Sequence, residues 1–196
     1  MHRPAASRRL FHLATGLTLA LLVFWLGREK AVVLIGSVLL ITVLVETLRL
    51  QMNAFNRVLV GLVGSMLKEA ELKRPTGVGY YLGGVLIGLL LFHTEVALAS
   101  IVILAVGDPA ASVVGQRWGR IRIGEKSLEG AAGFGVCAMA AGVFFQGFWP
   151  GLSFVIFSVG ALTGAVVECL PLRIDDNLIL PLTTGLSMEI LMRFFS

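Results

Sequence analysis

Long apolar blocks with almost no charge recur along the whole chain, as in "AVVLIGSVLLITVLVETL" at 31–48. A helix that crosses a bilayer needs roughly 20 apolar residues. Seven candidate spans of about that size lie at 10–27, 31–50, 78–94, 96–116, 130–148, 153–171 and 178–195. In lipid each backbone N–H and C=O must find its partner inside the segment, which leaves helices as the economical solution. Only 14% of the residues are charged, against about 25% in a soluble domain. The sequence therefore predicts an all-α polytopic membrane protein of about seven transmembrane helices, a single integral membrane domain over 1–196.

Between the second and third spans, Met52, Phe55, Val58, Leu59, Leu62, Val63, Met66 and Leu67 recur every three or four residues, with Asn53, Asn56, Arg57 and Lys68 off that face. This pattern predicts an amphipathic interfacial helix, with a continuation of span two as the alternative. The N-terminus has the basic start and apolar core of a signal peptide. "GREK" rather than a small-x-small cleavage site follows the core, so it is expected to be a retained span.

Basic residues concentrate in cytoplasmic loops. With the N-terminus cytoplasmic, thirteen of the sixteen Lys and Arg fall inside: Arg3, Arg8, Arg9, Arg49, Arg57, Lys68, Lys73, Arg74, Arg117, Arg120, Arg122, Lys126 and Arg173. Only Arg28, Lys30 and Arg193 fall outside. The unusual polar segments share that inner side, so the chemistry is expected at the cytoplasmic face of an integral membrane protein (the inner or plasma membrane in a prokaryote). There is no long basic run interleaved with aromatics, as nucleic-acid binding would require. Cys137 and Cys169, both in apolar stretches, suit neither a disulfide framework nor a zinc site.

Three segments break the apolar pattern. In "ILAVGDPAASVVG" (103–115) a mid-span Asp108 costs roughly 2.5–3.5 kcal/mol on insertion scales, and such residues mark functional cavities. Asp is a strong N-cap and proline suits a first helical position. The segment thus predicts a broken helix that ends near Gly107 and restarts at Asp108–Pro109, with free N–H groups for an anion. The plain alternative is a capped proline kink without a ligand. In "GRIRIGEKSLEG" (119–130) the glycines, Lys126 and Ser127 suit phosphate, but one extra residue, Glu125, spoils the P-loop pattern. Ser127 is expected to cap span five, with Glu129 in its first turn; a solvated basic loop that sets topology is the alternative. In "RIDDNLILP" (173–181) the adjacent Asp175, Asp176 and Asn177 suit Mg²⁺, which takes one or two carboxylates plus phosphate oxygens, or simply cap the next helix. Arg8, Arg9 and His12 stand at the entrance of span one. Glu46 and Arg49 can pair on one helix face, and Glu71 and Glu168 lie near the same side. Together these groups suit a polyphosphate with Mg²⁺, reached from the side by a lipid.

The chain also resembles a known family, the CTP-dependent lipid-alcohol kinases: dolichol kinase, phytol kinase and CTP-type diacylglycerol kinases, distantly related to phosphatidate cytidylyltransferases. The resemblance is carried by motifs in order: "RRLFH", "ETLR" followed by "EAELKRPTGVGYYLGG", "GDPAASVVGQRWG", "KSLEG" and "DDNLILP". It implies phosphoryl transfer from CTP to the hydroxyl of a membrane alcohol. It also implies a site lined by Arg8, Arg9, Asp108, Gly115, Lys126, Ser127, Glu129, Asp175, Asp176 and Asn177, with His12 and Gly130 of the same motifs. Arg9 stands where the family often has Lys; both are cationic. A chain this short resembles the compact phytol or diacylglycerol type, or a prokaryotic polyprenol kinase, more than typical dolichol kinases.

The mechanism expected on that basis places Mg²⁺ on Asp108 and the Asp175/Asp176 pair, and charge neutralisation on Lys126 with Arg8 or Arg9. Asp108 or Glu129 takes the hydroxyl proton. Arg8, Arg9, His12, Gly115, Ser127, Gly130 and Asn177 are expected to hold the nucleotide. A small transporter with a broken-helix acidic site and a related cytidylyltransferase are the competing readings.

Overall fold

The computed structural model describes residues 6–64, 67, 69–149, 151–172 and 174–195. The expectations for Arg3, Met66, Lys68 and Arg173 lie outside them. Eight α-helices are found among the described residues: α1 (Ala6–Leu26), α2 (Arg28–Gln51), α3 (Asn53–Val63), α4 (Gly77–Leu91), α5 (Thr94–Trp118), α6 (Leu128–Phe148), α7 (Phe154–Glu168) and α8 (Asp176–Phe195). A 3₁₀ turn at Glu69–Leu72 precedes α4, and a small antiparallel ribbon, β1 (Arg122–Ile123) and β2 (Lys126–Ser127), joins α5 to α6. Helices α1, α2, α5, α6 and α8 are long and apolar enough to cross a membrane; α4 and α7 are apolar but only 15 residues each.

The break between α1 and α2 is a single residue. Gly27 has φ +77°, open to glycine and strained for other residues, and the chain turns there while Gly27 N still bonds Val23 O. Met52 interrupts α2 in an extended conformation, so α3 is a separate amphipathic helix rather than a continuation of span two. In the ribbon, Gly124 (φ +62°) and Glu125 make a two-residue hairpin turn, with Ile123 opposite Lys126. The Gly/Lys/Ser segment is thus a hairpin.

α5 forms the axis of the bundle and packs against α1, α4, α6, α7 and α8. Its Ala97, Ala99, Ala105 and Ala111 are buried, and Gly107 lies under the Phe134 ring. Small side chains let helices approach closely where lipid removes the hydrophobic drive between them. The outside carries large exposed apolar residues such as Leu21, Leu40, Phe144 and Phe194.

The expected break at Asp108 is absent: α5 runs unbroken through Gly107, Asp108 and Pro109. Proline removes one helix hydrogen bond and costs about 3 kcal/mol in an isolated helix. Here Pro109 is buried between neighbouring helices, which hold the segment helical across the lost bond. The anion-binding N-terminus expected at Asp108 does not exist, and the broken helix that favoured a transporter goes with it.

Candidate functional site

The helix order alternates direction, so the beginnings of α1, α4, α6 and α8 and the ends of α5 and α7 share one end of the bundle. Three helix starts there are tied to side chains. Ser127 Oγ accepts from Gly130 N at 3.1 Å at the start of α6, and Asp175 Oδ1 accepts from Asn177 N at 3.0 Å at the start of α8. At α4, Glu71 Oε1 accepts from Gly77 N at 3.0 Å and Glu46 Oε2 from Thr76 N at 3.3 Å. Arg49, buried, holds this corner: it donates to Glu46 Oε2 at 2.7 Å, to the Arg74 carbonyl at 2.6 Å and to the Glu71 carbonyl at 3.0 Å. Glu46 and Arg49 pair as their spacing suggested, and the carbonyls of Glu71 and Arg74 make the cluster wider than a pair.

A cavity of about 620 Å³ opens at this end, with Glu71, Arg74, Tyr80, Lys126, Asp175 and Asp176 among its walls. Lys126 Nζ lies 2.7 Å from Asp176 Oδ2 and 2.9 Å from Glu168 Oε2. The first contact is a hydrogen bond; the second is an ion pair off the hydrogen-bond direction. Burial opposes the charge on Lys126, but Glu168 and Asp176 outweigh it and hold its pKa above the ordinary lysine value. Asp176 thereby stands in the cavity wall bonded to a cation, while Asp175 caps α8.

Asp108 forms a second centre deeper in the bundle. His12 Nε2 lies 3.8 Å from Asp108 Oδ2, too far for a hydrogen bond. His12 stacks on Tyr81, ring centroids 5.1 Å apart, and both His12 Nε2 and Tyr81 Oη are buried without a hydrogen-bond partner among the described residues. Buried polar groups are rarely left so. The charges of Asp108, Lys126 and Asp176 all reach Glu168, which links the two centres. Arg9 Nη1 reaches Gln116 Oε1 at 3.5 Å, which sets it beside α5; Arg8 is half-buried on the same turn.

Other residues expected in the site take supporting positions. Both oxygens of Glu129 accept from Ile121 N, at 3.2 and 3.3 Å, fastening the ribbon to α6 on the exposed side. Gly115 and Gly130 lie where α5 and α6 meet. A Cβ on Gly115 would stand 2.9 Å from Ser127 Oγ, and one on Gly130 3.0 Å from the Ala111 carbonyl. Asn177 rests its Nδ2 against Gly77, where a Cβ would meet it at 2.7 Å.

Asp108 and the Asp175/Asp176 pair do not form one cage: among the described residues no three Asp, Glu, His or Cys side chains gather as metal ligands. The donor set still fits Mg²⁺ carried on a nucleotide, since that ion takes most of its ligands from phosphate and water and only one or two from carboxylates. Sequence reasoning missed Tyr80, Tyr81 and Arg74. The paired tyrosines stood inside a quoted motif, yet a tyrosine in an apolar helix looks like core until its hydroxyl is seen unpartnered.

Taken together, these features describe an all-helical protein, consistent with a membrane protein, with a polar cavity at one end of the bundle. The chain is 28% identical to the CTP-dependent diacylglycerol kinase 1 of Schizosaccharomyces pombe, over 75% of this chain and 74% of that protein. It is 26% identical to the enzyme of the same name from Saccharomyces cerevisiae, over 96% and 73%. It is 29% identical to a probable chloroplastic phytol kinase of Triticum aestivum, over 61% and 44%. No family model matches the chain, and no solved structure matches it. These likenesses, to proteins named as CTP-dependent diacylglycerol kinases and a probable phytol kinase, support a kinship with the CTP-dependent lipid-alcohol kinases.

Proposed function

We propose that the protein transfers the γ-phosphate of CTP, with Mg²⁺, to the hydroxyl of a membrane lipid alcohol: a diacylglycerol, a phytol-type isoprenoid or a polyprenol. The observation that carries this reading is Lys126, fixed between Asp176 and Glu168 in the wall of the 620 Å³ cavity. A cation so placed can exchange a carboxylate for a phosphate oxygen. The diacylglycerol kinase of S. cerevisiae aligns with 96% of the chain and the phytol kinase with 61%, which favours diacylglycerol as the first acceptor to try.

In this reading the acceptor oxygen attacks the γ-phosphorus in line. The bond from that phosphorus to the β,γ-bridging oxygen breaks, and CDP leaves with the electron pair. Asp175 and Asp176, or Asp108, would hold Mg²⁺ carried on the nucleotide, and the ion would supply charge neutralisation. Lys126, with Arg8 or Arg9, steadies the transferred group. The hydroxyl proton passes to a carboxylate. Asp108 suits that role better than Glu129, which is held by Ile121 N on the exposed side of the ribbon. His12 Nε2 and Tyr81 Oη, both without a hydrogen-bond partner among the described residues, face the reacting groups in this reading.

All seven apolar helices cross the bilayer in this reading, α4 and α7 as short spans, with the site cytoplasmic. The support is charge placement: the described basic residues other than Arg28, Lys30 and Arg193 belong to the end that carries the cavity. The test is purified protein with γ-labelled and α-labelled CTP, γ-labelled ATP, and a panel of diacylglycerol, phytol and polyprenol. Label in the lipid from γ-labelled CTP alone supports the proposal. Label from α-labelled CTP means cytidylyl transfer, and no labelled lipid from any donor refutes kinase activity.

A further inference from the structure

A second cavity, a groove of about 310 Å³, runs between α2 and α4. Thr42, Val43, Thr47 and Leu50 form its α2 wall, and Gly79 and Tyr80 its α4 wall. Gly79 leaves its wall bare: a Cβ there would meet nothing within 4 Å, and the same holds for Gly83, one turn further on. Val43, Leu50 and Tyr80 are exposed, so the groove opens sideways, toward lipid when α2 and α4 span. Its inner end is polar but already satisfied, with Glu46 bonded to Arg49 and to Thr76 N. Pro75 and Tyr80 line both this groove and the polar cavity, so the two spaces adjoin.

Resting on the kinase reading above, we propose that this groove holds one hydrocarbon chain of the acceptor lipid and delivers its hydroxyl past Tyr80 into the cavity of Lys126 and Asp176. The chemistry of the two spaces matches the two ends of such a molecule. The chain enters from the bilayer without leaving an apolar surround, and only the hydroxyl crosses to the polar side. The Tyr80 ring marks that boundary, a place where an amphipathic aromatic is suited.

Gly79→Leu tests this directly. The new Cβ meets no protein atom within 4 Å, and leucine is a better helix former than glycine, so the variant is expected to fold. KM for a long-chain lipid alcohol in mixed micelles should rise at least tenfold. KM for CTP and the rate of transfer to a short water-soluble alcohol should stay at wild-type values. Gly147→Leu, likewise in open space but at the far end of the bundle, should leave both parameters unchanged. A diazirine-bearing fatty alcohol should photolabel α2 and α4 in the wild type and not in Gly79→Leu. An unchanged long-chain KM in Gly79→Leu, with an active wild type, overturns the groove assignment and leaves the kinase reading standing. A wild type that phosphorylates no alcohol overturns the kinase reading instead; the photolabel then decides the groove, and equal labelling of both proteins rejects it.

Discussion

Lys126 Nζ and Asp176 Oδ2 lie 2.7 Å apart, joining the hairpin before α6 to the start of α8 across fifty residues of sequence. The same ammonium faces Glu168 at the end of α7, so one cation ties three elements around the mouth of the cavity. Lys126→Met leaves the buried Glu168 without its counter-charge. The expected loss is about 1–3 kcal/mol of stability, below the roughly 3–5 of a fully buried pair because Lys126 keeps some exposure, and about a hundredfold or more in turnover. Adding Glu168→Gln should restore thermal stability in detergent but not turnover. Recovery of both would make the lysine purely structural.

Asp108→Asn preserves size and removes the charge from the middle of α5. Membrane insertion and thermal stability should hold or improve, since a carboxylate at that depth is costly. Turnover should fall by at least about a hundredfold if the carboxylate takes the proton or holds the metal. Measuring label transfer beside the amount of inserted protein separates the two effects, and near-normal turnover would exclude both roles.

Tyr81→Phe removes a buried hydroxyl that has no hydrogen-bond partner among the described residues. Deleting an unsatisfied polar group should stabilise the protein by about 1 kcal/mol, seen as a higher Tm. If that hydroxyl serves the reacting groups, kcat should drop about tenfold while KM for CTP holds. A higher Tm with unchanged kcat would make Tyr81 a packing residue only.

Arg49→Lys should cost about 2–4 kcal/mol despite conserving charge, because an ammonium cannot reproduce the planar fork that reaches Glu46 and the carbonyls of Glu71 and Arg74. The start of α4 should loosen with it, read as faster hydrogen exchange at Thr76 and Gly77. Protection equal to wild type at those two amides would show that the 71–76 turn holds itself.

The bundle was legible because span composition is local: a run of apolar residues crosses or packs whatever follows it. The expected spans match α1, α2, α4, α5, α6, α7 and α8 closely, and Ser127 caps α6 as its place before the apolar run suggested. The Asp108–Pro109 break was the failure. Helix propensity sees a lost hydrogen bond, whereas the surrounding helices determine whether the segment can bear it. For Glu129 the sequence showed a carboxylate beside the phosphate-suited loop, but only the folded hairpin brings Ile121 N to it.

By itself, then, the sequence determined the apolar helices and their boundaries and the polar segments between them, since each follows from a residue's own chemistry and its near neighbours. Only the tertiary structure decided that α5 is continuous, that Lys126 bridges Glu168 and Asp176, that Tyr81 Oη is buried beside His12, and that a groove beside Gly79 adjoins the polar cavity. Those are relations between residues far apart in the chain, and close packing of helices is what brings them within reach.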